Sequence, residues 1–332
     1  MGMTAQVTVL GAGAWGTALA MQLARRGADT CLWGHRSEHM EALERSRVNE
    51  RYLPDIPLPG NLRLETDLKR ALDTTPYVLV VVPSKAFRKT LEALAPLTDA
   101  PVFWATKGLD PDTGRPLHEP ARSILGNERG LGVLSGPSFA REVAIGLPTA
   151  VTVAATDMPL ARRFATLVHG KTFRAYVSTD LVGVELGGAA KNVIAIAAGI
   201  SDGLGFGANA RAGLITRGLA ELRRLGKAMG ARSATMTGLS GLGDLVLTAT
   251  DDQSRNRRFG LALGRGASVE AARQTIGGAV EGIPAARAIA HLAGDVDVEM
   301  PICAHVRSVL AGESTPREAV EGLMGRAMRS EH

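Results

Sequence analysis

The segment Gly11–Gly16 (GAGAWG) restricts the fold of this chain more than any other. It directly follows the apolar run Val7–Leu10, which predicts a strand, and it opens Thr17–Arg26, which predicts a helix. In this setting Gly11 permits a tight turn, Gly13 lets the backbone approach a pyrophosphate, and Gly16 permits close packing of helix on strand. The helix N-terminus presents N–H groups to the phosphates. We therefore predict a dinucleotide site, with a purely structural glycine turn as the alternative; a nucleoside-triphosphate loop is disfavoured because no Gly-Lys-Ser/Thr follows.

Short apolar runs alternate with helical patterns through the first half of the chain. These runs are continuous rather than alternating, which suits strands that are buried on both faces of a sheet. Strands separated by helices favour a doubly wound, mostly parallel sheet. The predicted strands are Val7–Leu10, Thr30–Trp33, Tyr77–Val82, Val102–Thr106, Gly132–Leu134 and Thr149–Ala154.

Strand-like runs nearly vanish after about Gly183, and helical patterns replace them. The predicted helices are Ala189–Ile200, Ala212–Met229, Arg258–Leu263, Val269–Gln274, Ile283–Ala293 and Ala304–Ala311. We therefore predict an α/β chain with a Rossmann-type dinucleotide-binding domain at 1–180 and an all-α substrate-binding and catalytic domain at 181–332. A cleft between two such domains is a usual place for ligands.

The residues after the second predicted strand bear on the choice of cofactor. An NAD-selective site usually has Asp or Glu at this position, where it holds the ribose hydroxyls. This chain has Trp33-Gly34-His35-Arg36, and Asp29 falls at the start of the strand, which is the wrong end. Basic side chains at the ribose favour a 2′-phosphate, so we predict that NADP(H) is preferred and NAD(H) accepted. The alternative is that Arg36 is an ordinary solvated side chain.

Two polar groups follow predicted strands at the edge where open sheets bind ligands. Lys107 comes directly after Val102–Thr106, and Ser135-Gly136-Pro137-Ser138 follows the next predicted strand. Ser138 is placed either to contact a ligand or only to cap the next helix, and both interpretations stay open.

Lys191 lies in an almost wholly apolar segment, GGAAKNVIAIAA, that starts at Gly187. A lysine buried there would lose solvation, which would lower its pKa and suit it to proton transfer. The alternative is a lysine whose ammonium reaches solvent from the edge of the helix. A second glycine-rich loop, Gly238–Asp244, supplies Asp244, which would hydrogen-bond a substrate hydroxyl or orient Lys191.

The segment Ser254–Arg258 combines arginine with smaller hydrogen-bond donors, a set that suits a phosphate. An RNA-binding patch is the competing hypothesis. It is disfavoured because no aromatic side chain accompanies the segment as a stacking platform and because only 4% of the chain is aromatic. The net charge of +5 favours anionic partners without identifying one.

The cysteines and the first residues of the chain argue against disulfide-rich, metal-binding, secreted and membrane-spanning proteins. Cys31 and Cys303 lie far apart and give neither a disulfide framework nor a metal motif, so we expect reduced thiols in a cytoplasmic protein and no metal site. The first residues show no basic region, and glycines interrupt the apolar stretch that follows them. We expect no signal peptide and no membrane span.

Six motifs, taken together and in order, are similar to those of the bacterial NAD(P)-dependent sn-glycerol-3-phosphate dehydrogenases. They span nearly the whole chain, and smaller matches occur at Tyr52–Pro54 and Val280–Gly282. The six are Gly11–Leu19 (GAGAWGTAL), Ser135–Ala140 (SGPSFA), Lys191–Ile200 (KNVIAIAAGI), Ile215–Glu221 (ITRGLAE), Gly238–Leu245 (GLSGLGDL) and Ser254–Arg257 (SRNR).

The resemblance implies reversible reduction of dihydroxyacetone phosphate to sn-glycerol 3-phosphate for phospholipid synthesis, with Lys191 as the proton donor. It implies a helical domain like the C-terminal domain of 6-phosphogluconate dehydrogenase, and a homodimer is expected from the family. Implied substrate contacts are Lys107, Gly136, Ser138, Lys191, Asp244, Ser254, Arg255 and Asn256. Implied cofactor contacts, besides the loop glycines, are Ala14, Trp15, His35, Arg36, Tyr52, Lys107, Ala140, Arg255, Ala279 and Glu281.

The runner-up class is a related 3-hydroxyacid or 6-phosphogluconate dehydrogenase, which shares this architecture. The motifs SRNR and GLSGLGD favour the phosphorylated triose instead. A regulator that senses dinucleotides without turnover is the non-enzymatic alternative. We expect no nucleic-acid partner.

Overall fold

The computed structural model describes residues 6–327. These residues divide into two compact units. The first contains the described residues up to Asp110 together with Pro116–Glu185, and the second contains Pro111–Arg115 and the residues from Leu186 onward.

Ten strands occur in the described part of the chain, and all lie in the first unit. They are β1 (Gln6–Leu10), β2 (Asp29–Trp33), β3 (Val48–Asn49), β4 (Leu53–Pro57), β5 (Leu62–Glu65), β6 (Val78–Val80), β7 (Val102–Trp104), β8 (Leu131–Ser135), β9 (Thr149–Ala155) and β10 (Phe173–Ser178). All but the β3–β4 hairpin form one sheet in the order β10-β9-β8-β7-β6-β1-β2-β5.

The sheet is mostly parallel, as predicted. Strands β8, β7, β6, β1, β2 and β5 run in one direction, whereas β9 pairs antiparallel to β8 and carries β10 with it. The chain passes from β1 to β2 on one side and later returns to β6 on the other side of β1. A crevice forms at such a switch point, so the residues that follow β1 stand where open α/β sheets bind their ligands.

Helices cover both faces of this sheet, and their apolar sides form its core with residues such as Phe103, whose ring stacks on that of Phe164. The helices of the first unit are α1 (Ala14–Arg25), α2 (Ser37–Ser46), α3 (Leu68–Leu72), α4 (Ser84–Leu94), α5 (His118–Leu125), α6 (Ala140–Ile145) and α7 (Met158–Val168).

All regular elements among the described residues of the second unit are helices, and Pro111–Arg115 contributes only a turn. Its elements are the major part of α8 (Leu181–Gly203), then α9 (Gly207–Ala228), α10 (Ser233–Met236), a π-helical turn (Leu239–Gly243), α11 (Asp244–Thr250), α12 (Arg255–Gly264), α13 (Val269–Ile276), α14 (Gly282–Asp295), α15 (Pro301–Ala311) and α16 (Pro316–Met324). Helix α8 is the one described helix that is long and apolar enough to cross a membrane, and 94% of its apolar window is buried inside the protein.

The predicted fold class, an α/β sheet followed by an all-α part, is confirmed. Every predicted strand and helix is present, with most ends displaced by a few residues and the start of α8 by eight, at Leu181 instead of Ala189. Strands β5 and β10 were not predicted, because Arg, Glu and Tyr side chains interrupt their apolar pattern and each is half-covered. The predicted loop at Gly238–Asp244 is wrong: it is a π-helical turn that leads directly into α11.

Candidate active site

The glycine loop after β1 fits a bound dinucleotide. Gly11 has φ of +123°, and a side chain on Gly11 or Gly16 would collide with backbone oxygens of the loop and of Val81. Gly13 differs, since a Cβ placed there would meet nothing within 4 Å. The backbone at Gly13 is therefore open to an approaching pyrophosphate, at the N-terminus of α1.

Basic residues follow β2, as predicted. His35 and Arg36 are exposed, and Arg36 occupies the N-cap position of α2. Gly34 is buried, and any side chain on it would strike Met40, so the start of α2 packs closely against the end of β2. An anion at this place would meet both the Arg36 guanidinium and the positive end of a ten-residue helix.

The β3–β4 hairpin lies against the glycine loop through Asn49. The Asn49 side-chain amide donates to the carbonyl oxygen of Ala12 (3.2 Å) and to the hydroxyl of Thr17 (2.8 Å). Tyr52, in the turn of the hairpin, is 40% exposed, and its ring contacts that of His39 edge-on. The predicted cofactor residue Tyr52 thus lies near the loop, and Asn49 is a support that no sequence motif indicated.

Lys107, Gly136 and Ser138 come together, as their positions after β7 and β8 predict. Lys107 Nζ donates to the carbonyl oxygen of Gly136 (3.1 Å), and Ser138 Oγ donates to the same oxygen (2.9 Å). The predicted capping role of Ser138 is wrong. Helix α6 begins at Ala140 with Phe139 as its N-cap, and the Ser138 hydroxyl is already engaged within its own loop.

Lys191 is buried inside the second unit, with 6% of its surface exposed, so the alternative of an ammonium in solvent is wrong. Its Nζ makes a short ion pair with the Asp244 carboxylate and donates to Thr248 Oγ1 (2.9 Å). The Thr248 hydroxyl donates its own hydrogen to the carbonyl oxygen of Asp244 (2.6 Å). Asp244 and Thr248 lie one turn apart on α11 and therefore orient the ammonium from one side.

Glycine allows this arrangement to form. Gly187 lies one turn before Lys191 on α8, and a Cβ on it would collide with the backbone of Ser240 in the π-helical turn. The π-helical turn can therefore pack directly against α8, and this packing positions Asp244, the residue that follows the turn, beside Lys191. The motif GLSGLGD thus has a packing role that its composition alone did not reveal.

A chain of amide groups joins α8 to α12. Asn256 Nδ2 donates to Asn192 Oδ1 (2.9 Å), and the backbone N–H of Gly282 donates to Asn256 Oδ1 (2.9 Å). Asn192 Nδ2 is buried and has no hydrogen-bond partner among the described residues, water and ligands aside. Asn192 and Thr248 are the two polar residues of this site that sequence reasoning missed.

The N-terminus of α12 carries the predicted phosphate residues. Ser254 is the N-cap, and its Oγ accepts from the backbone N–H of Arg257. Arg255 is exposed and lies against Gly278, where a Cβ would come within 2.8 Å of Nη1. The predicted cofactor residues Ala279 and Glu281 are exposed in the same loop.

A buried His–Glu pair, which the sequence did not indicate, lies in the first unit. His118 Nδ1 is 2.5 Å from Glu185 Oε2, and the Trp104 indole N–H donates to Glu185 Oε1 (3.1 Å). Burial raises the pKa of Glu185, against the opposing effect of these bonds. Burial alone would lower the pKa of His118, but the hydrogen bond and charge of Glu185 outweigh it and the pKa is raised. No group of three or more His, Cys, Asp or Glu side chains in residues 6–327 is arranged to hold a metal ion.

A dinucleotide loop at the switch point of a doubly wound sheet, followed by a helical unit with a buried Lys–Asp pair, defines a nicotinamide-dependent dehydrogenase. Two family models match, described as NAD-dependent glycerol-3-phosphate dehydrogenase N-terminus (residues 6–161) and C-terminus (residues 180–321). Together they cover most of the chain, and the chain belongs to this family.

Individual relatives agree with this assignment. The glycerol-3-phosphate dehydrogenase (NAD(P)+) of Pseudoalteromonas translucida is 55% identical over 99% of both chains. The enzyme of the same name from Photorhabdus laumondii is 53% identical over 100% of this chain and 98% of its own length. The crystal structure of the Coxiella burnetii glycerol-3-phosphate dehydrogenase superposes with a TM-score of 0.93, at 46% identity, over 97% of this chain and 99% of that one. The predicted family, the oxidoreductase class and the dependence on NAD(P) are confirmed, and neither alternative class is supported.

Proposed function

We propose that this chain catalyses the reversible NAD(P)H-dependent reduction of dihydroxyacetone phosphate to sn-glycerol 3-phosphate, which supplies glycerophospholipid synthesis. The observation that carries the proposal is the buried Lys191 ammonium, held by Asp244 and Thr248 beside Asn192. A buried amine that is fixed in direction suits proton transfer to a substrate oxygen.

Reduction of the ketone needs a hydride at the carbonyl carbon and a proton at the carbonyl oxygen. A bound nicotinamide supplies the hydride. Lys191 Nζ donates the proton, so that C=O becomes CH–OH, and in the reverse direction it accepts the hydroxyl proton. The Asn192 amide, whose Nδ2 has no partner in the described part of the chain, donates to a substrate oxygen. Asp244 acts by orienting Lys191, which it contacts directly.

The phosphate binds, in this proposal, at the N-terminus of α12. Arg255 supplies a two-pronged guanidinium, and Ser254 and the first N–H groups of the helix supply neutral donors. Asn256 already bonds Asn192 and Gly282 through both ends of its amide, so we assign it the positioning of Asn192 besides any phosphate contact. Lys107, Gly136 and Ser138 remain candidate substrate contacts of the first unit.

The cofactor binds along the carboxyl edge of the sheet, with its pyrophosphate at Gly11, Gly13, Ala14, Trp15 and Gly16 and its ribose at His35 and Arg36. The Trp15 indole N–H is buried without a hydrogen-bond partner among the described protein atoms, which supports a ligand acceptor nearby. Tyr52 and Ala140 are further candidate cofactor contacts in the first unit, and Arg255, Ala279 and Glu281 are the candidates of the second. We infer a preference for NADP(H).

The catalytic assignment is tested by replacing Lys191 with Met, which keeps the length of the side chain and removes its charge. Turnover is followed as oxidation of NADPH by dihydroxyacetone phosphate. We expect kcat to fall by about 100-fold or more, the scale for loss of a positioned acid–base group. The KM for NADPH should change little, because the predicted dinucleotide site lies on other residues.

Lys227→Met is the matched control, since Lys227 is exposed on α9 of the same unit. It should keep wild-type kcat. A folded Lys191→Met enzyme with near-normal kcat at neutral pH would disprove the role of Lys191.

The phosphate assignment is tested by Arg255→Ala. We expect the KM for dihydroxyacetone phosphate to rise at least about tenfold, in keeping with about 1.5–3 kcal/mol for a hydrogen bond to a charged group. Unphosphorylated dihydroxyacetone, a poor substrate, should lose much less. Arg258→Ala, an exposed change one turn along the same helix, should leave both values near wild type. Equal losses on both substrates would instead assign Arg255 to the cofactor.

We also propose that the division at residues 1–180 and 181–332 is the functional one, between cofactor binding and catalysis. A cytoplasmic location is supported by Cys31 and Cys303, which are both buried free thiols, as reducing compartments favour.

The homodimer remains an expectation from the family, and sedimentation equilibrium of the purified chain tests it.

A further inference from the structure

A network of ion pairs lies at the C-terminal end of α8. The Asp202 carboxylate accepts two hydrogen bonds from Arg211 Nη1 (2.9 Å to each oxygen) and one from Arg257 Nη2 (2.6 Å). The side chains of Asp202 and Arg257 are only 9% and 10% exposed. Arg257 also makes a short ion pair with Asp252, which is 77% exposed. The network thus has one buried carboxylate and one carboxylate in solvent, both bound to the same guanidinium.

This network holds the helix that carries the proposed phosphate site. Arg257 lies in the first turn of α12, and its backbone N–H is bonded by Ser254 Oγ at the N-cap. A displacement of Arg257 therefore also displaces Ser254. Arg255, which lies between these two residues in the sequence, is displaced with them. Asp202 lies about three helical turns after Lys191 on α8, so one helix carries both the catalytic lysine and the anchor of the phosphate helix.

Close packing fixes the register of the same two helices. Asn192 contacts Asn256, and the backbone of Ile196 faces Gly260 at the same interval of 64 residues along the chain. A Cβ on Gly260 would lie 2.9 Å from the carbonyl carbon of Ile196, so backbone meets backbone there. Helices in such contact cannot slide without steric conflict. A Cβ on Gly199 of α8 would likewise lie 3.0 Å from the carbonyl carbon of Arg257, so the ion pair with Asp202 fixes the Arg257 side chain at a turn where the two backbones already touch.

We propose that Asp202 is a positioning residue for recognition of the substrate phosphate. Through Arg257 it sets the first turn of α12, and thereby the distance between the phosphate-binding Arg255 and the proton donor Lys191. This inference rests on the proposed role of Arg255. A substrate held at both its phosphate and its ketone reacts only when these two anchors are correctly spaced.

The test is Asp202→Asn, which keeps the shape of the side chain and removes the charge that compensates buried Arg257. We expect the KM for dihydroxyacetone phosphate to rise about tenfold, since a small misplacement of a binding group can cost up to about 100-fold. Inhibition by inorganic phosphate, competitive with this substrate, should weaken in parallel. The KM for NADPH should rise less than the KM for dihydroxyacetone phosphate, because most of the proposed NADPH-binding residues belong to the first unit and lie outside this network.

Asp252→Asn is the matched control, because it removes the exposed partner of the same guanidinium. Exposed ion pairs contribute little, so the KM for dihydroxyacetone phosphate and the phosphate inhibition constant should remain near wild type. If Asp202→Asn does not fold, Arg211→Gln loosens the same carboxylate from its half-exposed side and should raise the KM about threefold, a smaller effect because the buried pair remains.

A folded Asp202→Asn enzyme with a lower melting temperature but unchanged KM and phosphate inhibition overturns the proposal, since that is the behaviour of a merely structural ion pair. Unchanged KM in Arg211→Gln overturns it where Asp202→Asn cannot be measured. Failure of the underlying phosphate assignment looks different: Arg255→Ala would then leave the KM for dihydroxyacetone phosphate unaltered.

Discussion

We propose that Arg36, which follows β2, sets the preference of the enzyme between the two nicotinamide cofactors. Arg36 is exposed at the N-cap of α2, where a 2′-phosphate would gain from the guanidinium and from the helix N-terminus together. Arg36→Asp removes a favourable charge and adds a repulsive one. We expect it to lower kcat/KM for NADPH at least about tenfold, the value of a charge-assisted hydrogen bond, while sparing NADH.

The measurement for this variant is the ratio of kcat/KM for the two cofactors. Arg45→Asp makes the same charge change in the last turn of α2, away from the end of β2, and should keep the wild-type ratio. An unchanged ratio in Arg36→Asp would mean that this side chain only meets solvent.

Sequence reasoning found Lys191, Asp244 and Asn256 but missed Thr248 and Asn192, the neutral residues that contact them. Lys191 was identifiable because a charge inside an apolar helix is conspicuous, and Asp244 because glycines surround it. Thr248 and Asn192 have no such contrast with their surroundings. Their roles depend on α11 and α12 lying beside α8, which are contacts between residues more than 50 positions apart. A single sequence contains no local signal for such contacts.

Helices α8 and α12 of the second unit can pack backbone against backbone because glycines lie at their contact. Gly260→Ala would place its methyl group 2.9 Å from the Ile196 carbonyl carbon and 3.0 Å from the Ile200 nitrogen, both backbone atoms that cannot rotate away. We expect the free energy of unfolding to fall by about 1–3 kcal/mol, as for other overpacked cores. Denaturant unfolding of the purified variant measures it.

Gly213→Ala is the control for this substitution, because a Cβ on that residue of α9 meets nothing within 4 Å. Its stability should be unchanged or higher by up to about 1 kcal/mol, the helix-propensity difference between glycine and alanine. Equal stability of Gly260→Ala and wild type would show that α8 and α12 separate easily.

At the scale of secondary-structure elements, the apolar patterns of the sequence predicted the strands whose burial produces such patterns. Continuous apolar runs identified β1, β2, β6, β7, β8 and β9, in which most of the residues are buried on both faces. The half-covered edge strands β5 and β10 have no such run, and the pairing of β9 against β8 depends on contacts across the sheet. The π-helical turn resembled a loop because its glycines serve a close backbone contact with α8 rather than a bend.

For the protein as a whole, the buried pair His118–Glu185 links folding to pH. The pKa of His118 is raised from its ordinary value of 6.5, and that of Glu185 from 4.5. The folded state therefore binds protons more strongly than the unfolded chain at both groups. For each group the stabilisation is complete below the ordinary pKa and is lost as the pH rises through the folded pKa. Both contributions have the same sign.

We therefore expect the pair to stabilise the protein most below about pH 4.5, and progressively less as the pH rises above the ordinary pKa of Glu185 (4.5) and then above that of His118 (6.5). The measurement is the free energy of unfolding of wild type minus that of the double variant His118→Gln/Glu185→Gln, which lacks both titrating groups. Replacing both partners together avoids leaving a single buried charge, whose penalty would dominate the comparison. The exposed pair His291–Asp295, changed to Gln and Asn, serves as the control, because an exposed ion pair adds little to stability. A difference that grows with pH would mean that Glu185 is stabilised as a carboxylate in the folded protein, the opposite of what its burial against Trp104 and His118 implies.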